Sequence, residues 1–535
     1  MKKMLALALA VMMMMSCFSA MAEDKVIRFG HSYDATTLDP HNCTDDGSYY
    51  ILNNIVEPLV VGYGNDVHPG VAETWEPAAD GTSIVFHLRQ SNWSDGTPLT
   101  AQDFVYSVQR ILDPNAAFEN TYKFYIIKNA EKYNLGQCSF EEVGVKALDE
   151  YTLQYDFEYP QINPALALSG YAFAPVNQAA CEKFGTAYGA EAENVLTNGP
   201  FVATEWLHQS KITIKKNANY WNAENVKLDE VQFIVGATGQ VGVDLFMAGD
   251  LDVGLFSTID HLDTLSMLGL EGEFRLSGFN FLNMNVKGSS EKTAPFMSNA
   301  NFRKALSSAI SREDVLRVAN ITGEAAYRIA PPTLPSGKGG TWAEDYPMQG
   351  WSTKAEPEKA KAYLDAALQE LNVTIDQVPE IVMLCYDSQS NMVKLQAVQD
   401  MIYQAIGVNC VISPQPIQQM FSMVNNAEFD LWVGGKTVEL PDWIAQVGYE
   451  FSGEIGNISG YEGEEYISLY KSLNNIVDSA ERAEIIAQME QIIMDELLTL
   501  HLYWSSECTI AVDGISGIED MNGYGPYFAN ADFVK

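Results

Sequence analysis

Apolar residues along the chain follow two periods, one of two residues and one close to 3.6. Ile84, Phe86 and Leu88 occupy alternate positions, as a strand with one buried face requires. Residues 153–157 and 212–214 read the same way. Elsewhere the spacing is helical. Thr100 and Asp103 form a capping box ahead of Phe104, Val105, Val108, Ile111 and Leu112, and Asp113-Pro114 stops that helix. Phe302, Ala305, Leu306, Ala309 and Ile310 make a second apolar stripe. Ser311 with Asp314 starts a third helix running towards Gly323, and Asp478 with Glu481 starts a longer one through Ile486, Met489, Ile493 and Leu497. Such stripes face a core and carry no ligand role. Strand and helix patterns alternate from end to end, which predicts an α/β protein. Residues 331–347, with Pro331, Pro332, Pro335 and Pro347, fit neither period and predict a long surface loop.

The first residues break the pattern. Lys2 and Lys3 precede an almost wholly apolar run, and Ala20-Met21-Ala22 offers small residues to a signal peptidase. Cleavage after Ala22 is expected, giving an exported protein; Ser16-Cys17 keeps open a lipid anchor at Cys17. Six further cysteines remain, among them Cys385 and Cys410 in the strand-like runs 381–386 and 408–413, which could be neighbours. Disulfides and buried free thiols both fit that arrangement.

Composition narrows the function. A 47% hydrophobic chain can bury large cores, so disorder is excluded. A formal charge of −38 makes nucleic acid a poor partner and suits a solubilising surface. No G-x-S-x-G, H-E-x-x-H or phosphate-loop motif occurs, and the histidines lack metal-ligand spacing. No cofactor, metal site or catalytic set is expected.

Several segments occur in an order that resembles a known family. They are Thr37-Leu38-Asp39-Pro40, Glu57-Pro58-Leu59, Pro69-Gly70-Val71-Ala72-Glu73-Thr74-Trp75-Glu76 and, most fully, Trp93-Ser94-Asp95-Gly96-Thr97-Pro98-Leu99-Thr100-Ala101-Gln102-Asp103-Phe104. Asn198-Gly199-Pro200-Phe201, Asn217-Ala218-Asn219-Tyr220-Trp221 and Arg303-Lys304-Ala305-Leu306 follow. Together they resemble the large extracytoplasmic solute-binding proteins of peptide and nickel ABC transporters (family 5), oligopeptide binders in particular.

The resemblance implies a two-lobed periplasmic-binding-protein-like fold, type II and cluster C, with an extra domain in the first lobe. Domain I would comprise 23–68, 190–283 and 504–535, domain II 69–189 and domain III 284–503, after a signal peptide over 1–22. Strands near 279–286 and 500–511 would cross between the lobes. A peptide would lie between them and pass unchanged to permease subunits in the membrane, the binding protein acting as a monomer. Candidate ligand residues are Glu57, Tyr122, Tyr125, Asn283, Trp432, Thr437, Glu439, Trp443 and Trp504. Where the family commonly places an aspartate against the ligand ammonium, this chain has Thr437, so Glu439 or Asp442 would supply the charge. Pro58 also departs from the family's usual glycine. A non-peptide solute (nickel chelate, haem, glutathione or oligosaccharide) in the same fold and a secreted hydrolase are the alternatives.

Overall fold

The computed structural model describes residues 24–534 apart from 64–65, 335, 337, 438–457, 474–475, 477 and 521–524. The expected leader, with Cys17, lies outside these residues, as do Glu439, Asp442 and Trp443.

One eleven-stranded sheet organises the molecule. Its strands, numbered here in chain order, are β1 (Val26–His31), β2 (Phe201–Leu207), β3 (Lys211–Lys216), β4 (Glu230–Val235), β5 (Val253–Phe256), β6 (Gly272–Met284), β7 (Gly323–Ala325), β8 (Ile381–Tyr386), β9 (Cys410–Gln415), β10 (Leu431–Thr437) and β11 (Thr499–Ala511). The order is β2-β3-β4-β1-β5-β11-β6-β10-β8-β9, with β7 paired to β11. Two strands of 13 residues, β6 and β11, pair antiparallel along nearly their whole length. β11 meets β5 at one end, and β6 meets β10 at the other. This ribbon joins the two halves of the sheet, and each half packs its own hydrophobic clusters.

The first lobe packs Ile27, Phe29 and Phe233 with Phe86, Phe104 and Tyr155 in one continuous cluster. A four-stranded sheet of Ala72–Pro77, Ser83–Leu88, Thr152–Asp156 and Val145–Asp149 belongs to it. The alternation at Ile84, Phe86 and Leu88 is the buried face of its second strand. Helix α1 (Ala101–Ile111) starts at the expected Thr100–Asp103 capping box and buries Phe104, Val108 and Ile111. Each such side chain stabilises by about 1.5–3 kcal/mol. Helices α2 (Gly239–Ala248) and α3 (Ile259–Met267) cover the other face with Val243, Phe246 and Leu265.

In the second lobe, helices α4 (Ala300–Ala309), α5 (Arg312–Ala319), α6 (Pro357–Leu371) and α7 (Gln389–Ile406) supply residues to one core with Leu282, Met383 and Leu500. Helix α8 (Ser479–Glu496), capped by Asp478 as expected, packs Ile486, Met489 and Ile493 into another with Phe281, Trp432 and Trp504. α5 stops at Ala319 rather than running towards Gly323, because Asn320 adopts a left-handed conformation (φ 54).

One expectation is corrected, and one open alternative is decided. Residues 331–347 are irregular but are not merely a surface loop: Leu334, Trp342 and Tyr346 are core residues. Glu490 anchors the stretch, accepting from Arg328, from Trp342 Nε1 (2.9 Å) and from the backbone N–H groups of Ile329 and Ala330. The strands holding Cys385 and Cys410 are neighbours, but in parallel register Cys385 lies opposite Pro414 and Cys410 opposite Ile381. An offset of that size is too wide for a disulfide. All six cysteines from Cys43 to Cys508 are free.

Candidate functional site: the region between the lobes

Strand direction brings matching ends together. In the first lobe β1, β4 and β5 are parallel, and β5 runs antiparallel to β11, so its carboxyl end at Phe256 points along the ribbon towards the second lobe. In the second lobe β8, β9 and β10 are parallel, and β10 runs antiparallel to β6, ending at Thr437 opposite Gly278. The carboxyl ends of both sets therefore face each other across the middle of the ribbon. Ligands of open α/β sheets bind outside such ends. A cavity of about 270 Å³ opens at the first-lobe ends, with Ser32, Tyr50, Thr238, His261 and Glu507 among its walls.

The ribbon is irregular there. Its register shifts between Leu276 and Gly278 and again between Asn280 and Phe281. Such shifts locally bend and twist a strand pair. Just before the first shift, Arg275 pairs with Glu507 across the strands at 2.7 Å. At the first shift itself, Ser277 Oγ donates to the Ser505 carbonyl at 3.1 Å.

β10 forms the second-lobe wall. Gly434 and Gly435 allow close approach: a Cβ at Gly434 would lie 2.7 Å from the Phe281 ring, and one at Gly435 3.0 Å from the Asn280 amide. β8 pairs with β10 only at Leu431 and Trp432. The outer backbone edge of Val433, Gly434 and Gly435 therefore meets no other described strand. An extended chain could add there through main-chain hydrogen bonds.

The chain matches the family "Bacterial extracellular solute-binding proteins, family 5 Middle" over residues 66–453. It belongs to this family. Relatives include the oligopeptide-binding protein OppA of Bacillus subtilis, 28% identical over 93% of this chain and 90% of its own. The dipeptide-binding protein DppE of the same organism is 27% identical over 92% and 89% respectively. Among solved structures, the substrate-binding domain of an oligopeptide ABC transporter from Bacillus anthracis superposes with a TM-score of 0.79 at 27% identity, covering 96% of this chain and 99% of its own. The two-lobed α/β architecture is thus that of the family.

Within this family member the sequence-derived candidates separate into groups. Asn283 and Trp432 are cross-strand partners on β6 and β10, both buried, with Phe281 edge-on to Trp432 at 5.3 Å. Asn283 Oδ1 and Trp432 Nε1 have no hydrogen-bond partner among the described residues. Trp504 shares the core of Phe281 and Trp432; its Nε1 donates to the Ile329 carbonyl at 3.3 Å. Thr437 closes β10. The remaining described candidates lie in the first lobe. Glu57 is buried and accepts from the Tyr220 hydroxyl and from Trp221 Nε1 (2.6 Å). Burial pushes its carboxyl up to about 7. Tyr125 donates to Asn134 Oδ1 at 2.9 Å, and Tyr122 is 64% exposed. Glu439 and Trp443 lie outside the described residues.

Sequence reasoning missed Lys394. It sits on α7 with only 5% of its surface exposed, its ammonium 3.3 Å from both Asn280 Oδ1 and the Tyr503 hydroxyl. A signal was present: Lys394, Val398 and Ile402 recur at i, i+4 and i+8, on the buried face. His501, also missed, stacks on Phe279 with ring centroids 4.6 Å apart. Burial pushes its imidazole down to about 3, so it is neutral at physiological pH.

Proposed function

We propose that this protein captures peptides between its lobes, leaves them chemically unchanged and delivers them to the permease of an ABC importer. The observation that carries this reading is the outer edge of Val433, Gly434 and Gly435, set where the carboxyl ends of the two halves of the sheet face each other. Backbone pairing on such an edge gives affinity that does not depend on the side chains of the ligand. The names of the full-length relatives, oligopeptide- and dipeptide-binding, agree with it.

On this reading Thr437, Glu439 and Trp443 contact the ligand, while Asn283, Trp432 and Trp504 form the buried wall behind it. Tyr122 and Tyr125 contribute from the first lobe, and Glu57 holds that lobe's frame through Tyr220 and Trp221. Domain I comprises 23–68, 190–283 and 504–535, domain II 69–189 and domain III 284–503. The protein is exported with loss of residues 1–22 and works as a monomer.

Glu439 supplies the negative charge that Thr437 cannot, pairing with the ammonium of the peptide. Mass spectrometry of solutes released by denaturing the purified protein tests the ligand class: peptides are expected, and recovery of non-peptide solutes alone would overturn it. Calorimetric titration tests the anchor. Trialanine is expected to bind the native protein more tightly than the Glu439→Gln variant by on the order of 2–5 kcal/mol, the cost of breaking a desolvated charge pair. N-acetyl-trialanine should lose a similar amount, and equal affinity for the two peptides would refute the anchor.

A further inference from the structure

Most buried cations of the described chain have strong partners. Arg328 is held by Glu490, Arg110 by Asp39 and Arg303 by Glu496 and main-chain carbonyls. Arg312 donates to the carbonyls of His501 and Ser352. Lys394 differs. Its two hydrogen bonds are long and go to neutral side-chain oxygens, and among the described residues no carboxylate lies within ion-pair distance. A buried charge left without a counter-charge disfavours the packed state that buries it.

Its position gives that strain a consequence. Asn280 and Tyr503 are cross-strand partners in the β6–β11 ribbon, immediately beside the second register shift. The ammonium therefore touches both crossing strands where they are bent, and ties them to a helix that belongs wholly to the second lobe. α7 packs against α4, α5, α6, β8 and β9. Among the described residues, the titratable groups that face Lys394 are Cys385 on β8 and Tyr503 on β11. Burial pushes both upward, which disfavours the anions that would offset the charge.

We propose that Lys394 is a proton-linked positioning residue of the interlobe ribbon: its charged form favours loosening of the ribbon from α7, and its neutral form favours the packed arrangement. Hydration of an ammonium requires the Asn280–Tyr503 pair to part from the helix, whereas a neutral amine can also accept from Tyr503. Burial pushes the Lys394 ammonium down to about 8. A depressed lysine contributes stability that is present at high pH and lost as pH falls through that value. Packing is therefore tighter at pH 9 than at pH 7. The proposal concerns the ligand-free protein and does not depend on what the cleft binds.

Hydrogen exchange read by mass spectrometry on the ligand-free exported protein, corrected for intrinsic rates, tests it. Protection over residues 276–281 and 501–506 should rise by about tenfold from pH 7 to pH 9, because the loosened state keeps its proton throughout while the packed state sheds its own above about 8. Lys394→Met should be highly protected at both pH values and Lys394→Arg weakly protected at both, neither changing with pH. A flat profile in the native protein would overturn the proposal whether or not the variants fold. So would a Lys394→Met variant that keeps the native pH response. Peptide binding, measured separately, bears only on the proposed function.

Discussion

At the scale of single residues, burial decides what a polar side chain does. Glu57 looks from its motif like a ligand residue, yet its carboxylate is occupied by Tyr220 and Trp221 inside the first lobe. Its folded pKa of about 7 lies above the ordinary carboxyl value of 4.5, so the folded state holds a proton that the unfolded chain releases. The contribution to stability is fully present below 4.5 and is lost as pH rises through about 7. Glu57→Gln, neutral throughout, should match the native protein near pH 4 and exceed it at pH 8 by about 3 kcal/mol. Thermal unfolding followed by circular dichroism at the two pH values checks this, and parallel native and variant profiles would refute it. None of this could be read from the sequence, because Tyr220 and Trp221 lie far along the chain from Glu57. Lys394 was legible in part: its helical phase marks it as buried, while its partners on β6 and β11 are set by the fold.

At the scale of elements, local rules were reliable wherever the interaction was local. The capping box at Thr100 and Asp103 and the caps at Ser311 and Asp478 are all made, because each joins residues three apart. The alternation at Ile84, Phe86 and Leu88 was equally readable, since it records which face of one strand is buried. Register between strands was not. The runs holding Cys385 and Cys410 are adjacent as the sequence allowed, but their parallel offset keeps the sulfurs apart. Alkylating the unfolded, never-reduced exported protein with iodoacetamide should therefore modify six cysteines where Cys17 has left with the leader; only four would reveal a bridge. Residues 331–347 looked like a surface loop because proline removes periodicity. Glu490, from a helix far along the chain, makes that stretch part of the core.

At the scale of the whole molecule, two lobes share one sheet through the β6–β11 ribbon, whose register shifts concentrate bending between them. Saturating trialanine should reduce the radius of gyration measured by small-angle X-ray scattering; binding with an unchanged profile would refute closure about this ribbon. The sequence by itself determined the α/β class, the family and the approximate position of the crossing strands. Each follows from burial periods and motif order that are local or collinear with the chain. Only the tertiary structure decided that Asn283 faces Trp432, that Glu57 is enclosed by Tyr220 and Trp221, and that Lys394 lies beneath Asn280 and Tyr503 with no counter-charge among the described residues. Those contacts join distant segments, and their partners are fixed by strand register and helix packing, which hydrophobic periodicity does not encode.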